Sequence, residues 1–330
     1  MSRTLITGGA GFIGAHLARA LAERGHEVDL VDSLARGRAD EEVAELERTG
    51  GVRLIPGDLL DPAFLPSLGA DHDRVVHLAA IVGVANVLGG PDRTLRDNAV
   101  MLNHVLAWAA TLPRLQRVLF ASTSEIYAGT ARVGDLPVPT PEDVPLTFPD
   151  PADARATYAL SKLYGEALCH HSGLPFTIIR PHNVYGPRMG LSHVIPELLE
   201  RAHAAPDGGE LDVFSADHRR SFCYVEDAVE LIARALEAPA GAGATINVGR
   251  EGPEVTMGEL ASLVVATVGK RLDVRPLPAT PGSPLRRCPD MGRAERLTGY
   301  RARVDLADGV ARTYAWYRRR VFDAGGAAVR

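Results

Sequence analysis

A glycine-spaced turn near the start of the chain constrains the fold more strongly than any other feature of the sequence. Gly8, Gly11 and Gly14 lie between a strand-like run at residues 4–7 and a helical pattern at residues 12–23. The first glycine permits a tight turn, the second lets the backbone approach a pyrophosphate, and the third lets the helix pack closely on the strand. Because free amides at a helix N-terminus attract phosphate, the pattern predicts a dinucleotide-binding turn.

An acidic residue at the end of the next strand bears on which dinucleotide is bound. Residues 28–31 read as a strand, and Asp32 closes it about 20 residues after the glycines. A carboxylate at this place accepts hydrogen bonds from the adenosine ribose and repels a 2′-phosphate, which favours NAD over NADP. Arg36 and Arg38 follow closely and weaken the argument against a 2′-phosphate.

The rest of the first half repeats this alternation of strand and helix. Helical patterns lie at residues 98–110 and 158–170, and short β-branched runs at residues 52–55, 75–78, 118–121 and 176–179. Continuous apolar strands separated by helices are typical of a parallel sheet that is covered on both faces. The predicted fold class is therefore α/β, with a Rossmann-like doubly wound parallel sheet.

The second half has a different rhythm, because long Gly- and Pro-rich segments separate its elements. Strands are predicted at residues 211–214 and 245–248, and helices at 194–204, 225–237 and 257–268. We expect residues 1–180 to form an NAD-binding domain that includes the helix at 158–170. Residues 181–320 are expected to form mostly a smaller C-terminal α/β lobe for the substrate, with the chain crossing back to the core. Residues 321–330 are expected to be a frayed tail.

A proline-rich stretch separates the two catalytic motifs described below. Six prolines lie between Pro137 and Pro151. Proline removes a backbone donor and fixes φ, so this stretch is neither a helix interior nor a central strand. We interpret it as a loop that forms a lid over the site.

Charge and composition argue against several classes of function. The formal net charge is -5, which gives no indication of binding to nucleic acid or to an anionic membrane. No run approaches the ~20 apolar residues needed to cross a bilayer, and no targeting segment is recognised. Cys169, Cys223 and Cys288 are far apart, so neither a disulfide framework nor a metal-ligand spacing is visible. We expect a cytoplasmic protein without a metal.

A tyrosine and a lysine four residues apart form the candidate catalytic pair. Tyr158 and Lys162 share one face of a predicted helix. Lowering a tyrosine pKa from about 10 to about 7 needs roughly 4 kcal/mol, which an adjacent ammonium and a positive nicotinamide ring can supply. The phenolate then takes a hydroxyl proton while hydride leaves the same carbon. Only Lys162 and Lys270 are lysines in a chain with 36 lysine and arginine residues, which supports a functional role for Lys162.

A polar cluster follows the fifth predicted strand, at the sheet edge where ligands bind. Ser122 is expected to contact the cofactor, and Thr123 to hydrogen-bond the reacting hydroxyl and share its proton with Tyr158. Ser124 and Glu125 complete the predicted catalytic set. Hydride transfer does not require a carboxylate here, but a carboxylate can handle a proton on the neighbouring carbon. The alternative is that Glu125 only caps a turn.

Together these motifs resemble the extended short-chain dehydrogenase/reductase family, in the NAD-dependent epimerase/dehydratase group that acts on nucleotide sugars. The resemblance covers nearly the whole chain. Asn98 matches the family's asparagine, and residues 180–188 match its substrate-side segment. The resemblance implies an enzyme with NAD as cofactor and a nucleotide sugar as substrate. It also implies a homodimer built on the helices at residues 98–110 and 158–170.

The motifs and the resemblance give two sets of predicted binding residues. The substrate set consists of Val82, Thr123, Asn183, Arg188, Arg220 and Arg287. By similarity, Asn183, Arg220 and Arg287 hold the diphosphate and nucleoside, a task suited to planar guanidinium groups. Arg188 has a structural ion pair as its alternative, and Asp58 has an ordinary turn. The cofactor set consists of Gly8, Gly11, Phe12, Ile13, Gly14, Asp32, Asp58, Leu59, Leu78, Ala79, Ala80, Asn98, Ser122, Tyr158 and Lys162.

The resemblance leaves the fate of the oxidised sugar open. Family members oxidise C4, and the ketone makes the C5 proton acidic and turns a C5 carboxylate into a β-keto acid. The segment with Ser124 and Glu125 resembles that of UDP-glucuronate decarboxylases and some 4,6-dehydratases. We therefore favour decarboxylation of a nucleotide-linked uronate, with 4,6-dehydration and 4-epimerisation as alternatives. A non-catalytic NAD(P) sensor and an NADPH reductase are the alternatives from other classes.

Overall fold

Strands and helices alternate along the computed structural model, which describes residues 2–134, 136–148, 150–280 and 283–323. The strands are β1 (Arg3–Thr7), β2 (Glu27–Asp32), β3 (Val52–Pro56), β4 (Arg74–His77), β5 (Arg117–Ala121), β6 (Phe176–Pro181), β7 (Val184–Tyr185), β8 (Glu210–Phe214), β9 (Arg219–Arg220), β10 (Cys223–Tyr224), β11 (Ala244–Val248), β12 (Val255–Thr256), β13 (Asp273–Leu277) and β14 (Arg286–Arg287). The helices are α1 (Phe12–Glu23), α2 (Glu41–Thr49), α3 (Phe64–Ser67), α4 (Val84–Gly89), α5 (Pro91–Ala109), α6 (Ala128–Val133), α7 (Ala156–His171), α8 (Val194–Ala204), α9 (Val225–Glu237), α10 (Met257–Val268), α11 (Gly292–Thr298) and α12 (Leu306–Tyr317).

Seven parallel strands form the central sheet, in the spatial order β11-β6-β5-β4-β1-β2-β3. The order reverses between β1 and β4, which opens a crevice at the carboxyl ends of the strands where ligands bind in such sheets. Successive residues of β1 face opposite sides of the sheet. Ile6 lies in one buried cluster with Leu17 of α1, and Leu5 lies in the other with Leu102 of α5. The predicted Rossmann-like doubly wound sheet is confirmed.

The edge strand β11 shows where the chain returns to the core. The sequence predicts this strand within the second lobe, whereas the structure pairs it with β6, from Ala244 opposite Thr177 to Val248 opposite Pro181. A parallel pair needs a long crossover, and α9 provides one by packing against α1 on one face of the sheet. An apolar strand pattern does not show which sheet the strand joins, so the sequence alone did not predict that β11 pairs with β6.

The second lobe is built from short strands around the cleft. Strands β8 and β13 form one parallel pair, and β7 and β10 form another. A third small sheet has the order β12-β9-β14, in which Arg219 lies opposite Arg286 and Arg220 opposite Arg287. Because successive side chains of a strand alternate, Arg220 and Arg287 share one face of this small sheet, and Arg219 and Arg286 share the other, where both contact Glu254.

Two boundaries differ from the sequence prediction. Helix α5 begins at Pro91, seven residues before the predicted start, because proline is well tolerated in the first turn of a helix. The predicted frayed tail lies outside the described residues from position 324 onward. Its described part closes a π-helical turn, Arg318–Phe322, in which Val321 is buried.

The proline-rich stretch is an irregular loop over its described residues, and its role as a lid stays a prediction. The backbone amide of Thr140 donates to the carbonyl of Cys288 at 2.9 Å, and the amide of Asp290 donates to the carbonyl of Thr140 at 2.9 Å. A carboxylate oxygen of Glu142 accepts from the amide of Asn247 in β11 at 2.7 Å. These bonds fasten the loop to the core beside the cleft.

Candidate active site

The glycine turn between β1 and α1 has the geometry expected for a dinucleotide. Gly8 has a φ of 68°, and a Cβ there would lie 2.8 Å from the backbone nitrogen of Ala79. A Cβ on Gly14 would lie 2.5 Å from the carbonyl oxygen of Gly8. Gly11 precedes α1 and has no side chain to cap the first amides of the helix. These amides are therefore available to phosphate oxygens.

Asp32 lies beside this turn, at the carboxyl end of β2. Its Oδ2 accepts from the amide of Ala10 at 3.1 Å and its Oδ1 from the amide of Leu34 at 2.8 Å. Burial raises the pKa of this carboxyl, and the two backbone hydrogen bonds oppose the shift. The chain folds over the carboxylate at Gly37, where a Cβ would come within 2.5 Å of Oδ2. The position agrees with that predicted for a ribose-binding carboxylate.

The remaining cofactor residues divide into two groups. Leu78, Ala79 and Ala80 follow β4 at the switch point, next to the glycine turn. Asp58 is exposed and its Oδ1 accepts from the amide of Leu60 at 2.9 Å, so it closes a turn, and the following Leu59 is buried. Asp58 thus closes an ordinary turn, and its role in cofactor binding stays a prediction.

Two buried polar residues lie between this edge of the sheet and helix α7. Asn98 accepts from the amide of Ile81 at 2.7 Å and donates to the hydroxyl of Ser161 at 3.1 Å, so it holds the end of β4 against α7. Ser122 is 4% exposed, and its hydroxyl has no hydrogen-bond partner among the described residues. An orphaned buried hydroxyl at the carboxyl end of β5 fits a group that binds in the crevice. The residues present therefore fit a bound dinucleotide.

Tyr158 and Lys162 occupy neighbouring turns of α7. The Nζ of Lys162 donates to the carbonyl of Ala121 at 2.7 Å and lies 5.8 Å from the centre of the Tyr158 ring. Burial lowers the pKa of Lys162 to about 7. Burial also raises the pKa of Tyr158 to about 12, although a hydrogen bond with Thr123 opposes the shift. The net effect of the surrounding protein groups is to raise this pKa, and the positive charge of a bound nicotinamide would favour the phenolate.

The turn after β5 joins predicted catalytic residues to a predicted substrate residue. Thr123 caps a 3-10 turn, Ser124–Tyr127, by accepting from the amide of Glu125 at 3.2 Å. An oxygen of Glu125 lies 2.8 Å from Nη1 of Arg287 in β14, and both side chains are partly exposed to the cleft. Ser124 is buried. The structure therefore brings a carboxylate and a guanidinium next to the Thr123–Tyr158 pair.

Arg220 is a buried guanidinium without a carboxylate partner among the described residues. Its four hydrogen bonds go to neutral oxygens, which are the carbonyls of Arg219, Pro284 and Leu285 and the hydroxyl of Ser283. Burial and the nearby charge of Arg287 lower its pKa to about 10. Burying an unpaired charge is costly, so the arrangement suits an anionic ligand.

Of the other three predicted substrate residues, one lies beside Arg220 and two contact other parts of the chain. Asn183 has a φ of 40° and donates to the carbonyl of Ser221 at 2.9 Å, directly beside Arg220. The carbonyl of Val82 accepts from Nη1 of Arg36 at 3.0 Å. Arg188 instead packs against the glycine turn and pairs with Asp40 at 2.8 Å. The predicted substrate role of Arg188 is therefore corrected to the ion-pair alternative.

Asn247 is a structural part of the site that the sequence prediction missed. Its Oδ1 accepts from the hydroxyl of Tyr127 at 3.1 Å, and its Nδ2 donates to the carbonyls of Thr140 at 2.9 Å and Asp290 at 3.1 Å. It therefore ties the turn that carries Glu125 to the segment that follows Arg287. The available signal in the sequence was an asparagine inside an otherwise apolar predicted strand, between Ile246 and Val248.

Comparisons with known proteins agree with this fold and site. The family model for the NAD dependent epimerase/dehydratase family matches residues 4–249. A UDP-N-acetyl-alpha-D-glucosaminuronate decarboxylase from Bacillus cytotoxicus is 33% identical, over 96% of this chain and 98% of the relative. A solved dTDP-glucose 4,6-dehydratase from Streptomyces venezuelae, with NAD bound, superposes with a TM-score of 0.84 at 29% identity. That alignment covers 99% of this chain and 100% of the dehydratase.

A solved UDP-glucuronic acid 4-epimerase from Bacillus cereus superposes nearly as well. Its TM-score is 0.83 at 27% identity, over 96% of this chain and 99% of the epimerase. The fold and the Tyr/Lys site thus define an NAD-dependent enzyme with a doubly wound sheet. The chain belongs to the NAD-dependent epimerase/dehydratase family. No helix within the described ranges is long and apolar enough to span a membrane.

Proposed function

We propose that this enzyme oxidises a nucleotide-linked uronate, of the UDP-glucuronate type, at C4 and then decarboxylates it. The observation that carries the proposal is the 2.8 Å pair between Glu125 and Arg287 beside the catalytic turn. A uronate carries its carboxylate on C5, one carbon from the oxidised centre. A guanidinium at that position binds a carboxylate through charge-assisted hydrogen bonds.

The first step uses the pair on α7 and the turn after β5. Tyr158, as phenolate, takes the proton of the C4 hydroxyl, and Thr123 orients that hydroxyl through its own hydrogen bonds. Lys162 holds the carbonyl end of β5 and provides a cation close to the phenolate. A bound NAD would supply a hydride acceptor, held by the glycine turn, Asp32 and Ser122.

The second step follows from the C4 ketone. The uronate is then a β-keto acid, so the electron pair of the C5–C6 bond can pass into the carbonyl as CO2 leaves. Arg287 orients the departing carboxylate, and Glu125 relays to C5 a proton from solvent, which takes the place of the CO2. The hydride removed in the first step returns to C4, and Tyr158 returns the proton to the C4 oxygen. Arg220 holds the diphosphate of the substrate throughout.

The comparisons favour this outcome over the alternatives in the same family. The Bacillus cytotoxicus relative and the UDP-glucuronic acid decarboxylase 1 of Danio rerio, at 30% identity, are both named for decarboxylation of a nucleotide-linked uronate. Ser124 stands at the position where several dehydratases have an aspartate to protonate the leaving C6 hydroxyl. Both observations support decarboxylation.

Product mass separates the candidate reactions. The purified protein is incubated with UDP-glucuronate, UDP-N-acetylglucosaminuronate, UDP-glucose and dTDP-glucose, with and without added NAD. We expect a uronate to lose CO2 without added NAD. Loss of water from a hexose would indicate a 4,6-dehydratase, and unchanged mass with altered stereochemistry a 4-epimerase. Binding of NAD without any turnover would indicate a sensor and would contradict the proposal.

We also propose a homodimer in the cytoplasm. Helices α5 and α7 pack side by side and expose Leu95 and Tyr164, and a second copy can cover these side chains. The three cysteines are free and buried, which suits a reducing compartment. Light scattering should give the mass of a dimer, and Tyr164→Arg should shift the mass towards a monomer. A wild-type monomer at high concentration would contradict the proposed assembly.

A further inference from the structure

The segment after β7, residues 186–189, reaches back to the cofactor side of the molecule. The carbonyl of Pro187 lies 3.1 Å from the Nε2 of His16 in α1. The carbonyl of Met189 accepts from the hydroxyl of Tyr317, at the end of α12. Between these two attachments Arg188 adopts a φ of 67°, which is unusual for a residue with a side chain. This backbone conformation directs its guanidinium at the glycine turn.

The guanidinium of Arg188 joins two parts of the cofactor side. Its Nε and Nη2 donate to the same oxygen of Asp40, at 3.0 and 2.8 Å. Its Nη1 and Nη2 also donate to the carbonyls of Gly11 and Ala10, each at 3.3 Å. The side chain is only 5% exposed. Arg188 therefore fastens Asp40 to the turn that is expected to hold the pyrophosphate.

Asp40 ends a loop, residues 33–40, that covers the predicted ribose site. The loop starts at Asp32 and passes directly over its carboxylate at Gly37. The amide of Arg38 donates to the carbonyl of Ala10 at 3.2 Å, and Asp40 caps α2 by accepting from the amide of Val43 at 3.1 Å. The last residue of the loop is thus held at the glycine turn through Arg188.

We propose that the Arg188–Asp40 pair is a clamp that keeps NAD resident during turnover. Arg188 is a positioning residue that acts through the loop, not a substrate ligand. A dinucleotide seated on Asp32 can leave only when the 33–40 loop lifts, and lifting breaks a double hydrogen bond to a buried guanidinium. The inference rests on the proposed function, in which NAD is retained between catalytic cycles.

The rate of NAD release tests the clamp independently of catalysis. NAD-loaded protein is mixed with an excess of isotopically labelled NAD, and exchange is followed by mass. Asp40→Asn removes the charge but keeps a good helix cap, because Asn and Asp are equivalent at that position. We expect release to become at least about tenfold faster, since the nearer carboxylate partner of the buried guanidinium is lost, whereas Glu42 lies 3.6 Å from its Nε. Arg188→Lys keeps the charge without the planar fork and should give an intermediate rate.

A matched control separates the clamp from general destabilisation. Asp29→Asn is the same substitution at another arginine-paired carboxylate of the same domain, which is more buried than Asp40 and is contacted by Arg3 and Arg53. We expect it to leave the release rate unchanged. Wild-type release rates in both Asp40→Asn and Arg188→Lys would overturn the clamp. Failure of the wild-type protein to bind NAD would instead contradict the proposed function, so the two failures are distinguishable.

Discussion

Two buried arginines, one in the core and one in the second lobe, differ in the partners that their charges have. Arg180, at the end of β6, is 5% exposed and forms two hydrogen bonds with Glu166 of α7, at 2.9 and 2.7 Å. Arg220, in the second lobe, is 9% exposed and bonds only to neutral oxygens. The first charge is balanced within the protein, whereas the second has no carboxylate partner among the described residues and, in the proposed function, is balanced by the substrate diphosphate. The hydrogen-bond partners of a buried arginine, rather than the residue type, indicate whether it is structural or suited to bind a ligand.

The same contrast applies within the catalytic pair. Burial works against both charged forms, since it raises the pKa of Tyr158 to about 12 and lowers that of Lys162 to about 7. The charged form of Tyr158, like that of Arg220, would be stabilised by a ligand of opposite charge. The substitutions below test whether the charge of each group is balanced by the protein or by a ligand. They are given in order of decreasing expected effect.

Tyr158→Phe should reduce turnover by about 10³-fold, because the proton acceptor for the C4 hydroxyl is lost. NAD content and thermal stability should stay close to wild type, since the ring remains. Steady-state kinetics and cofactor analysis measure both effects. Tyr164→Phe, on the same helix but partly exposed, is the control and should retain turnover. Retention of more than a tenth of the activity in Tyr158→Phe would remove this residue from the mechanism.

Arg180→Met should lower the free energy of unfolding by about 3–5 kcal/mol, because Glu166 is left buried without its partner. Chemical denaturation measures the change. The double variant with Glu166→Met should recover much of the loss, since neither charge is then buried alone. A single variant as stable as wild type would show that the pair is not the structural element described above.

Arg220→Leu should have the opposite profile. The value of kcat/KM should fall about 10- to 100-fold, because charge-assisted hydrogen bonds to the substrate diphosphate are lost. The free energy of unfolding should fall less than in Arg180→Met, because the variant loses hydrogen bonds to neutral oxygens but leaves no buried charge without its partner. Parallel kinetics and denaturation distinguish the two effects. A large loss of stability with unchanged kinetics would place Arg220 with Arg180.

Asp29 should make a smaller, pH-dependent contribution to stability. Burial alone would raise its pKa, but hydrogen bonds from His72 and Arg53 and the charge of Arg3 lower the pKa to about 2. A carboxyl whose folded pKa is depressed stabilises the fold above its unfolded pKa near 4 and loses this contribution as the pH falls towards 2. About 2 kcal/mol should be lost over this window. Asp29→Asn should flatten the profile, and an unchanged slope would contradict this prediction.

Sequence patterns predicted the features that depend on residues close together in the chain. The glycine turn is a local backbone requirement, and Tyr158 and Lys162 share a helix face through their spacing alone. The class of fold followed from the alternation of strands and helices. Arg220 was assigned through a family motif, and its role in substrate binding stays a prediction, although no carboxylate pairs with it among the described residues.

The sequence analysis did not predict contacts between residues that are far apart in the chain. The partner of Arg188 is Asp40, 148 positions away in the chain, and nothing local indicates that the guanidinium turns to the cofactor side. The contacts of Asn247 with Tyr127 and Thr140 span more than a hundred residues. The position of β11 in the main sheet depends in the same way on a crossover. Such contacts depend on tertiary packing, and no local pattern in a single sequence predicts them.

The central claim is that the sugar is oxidised first and that Glu125 and Arg287 then act on the ketone. The most direct measurement is the absorbance of reduced nicotinamide after rapid mixing of NAD-loaded protein with the uronate substrate. In wild type the absorbance should rise and then fall within one turnover, and in Glu125→Gln it should rise and persist. No rise during productive turnover, or a wild-type decay in Glu125→Gln, would contradict the account.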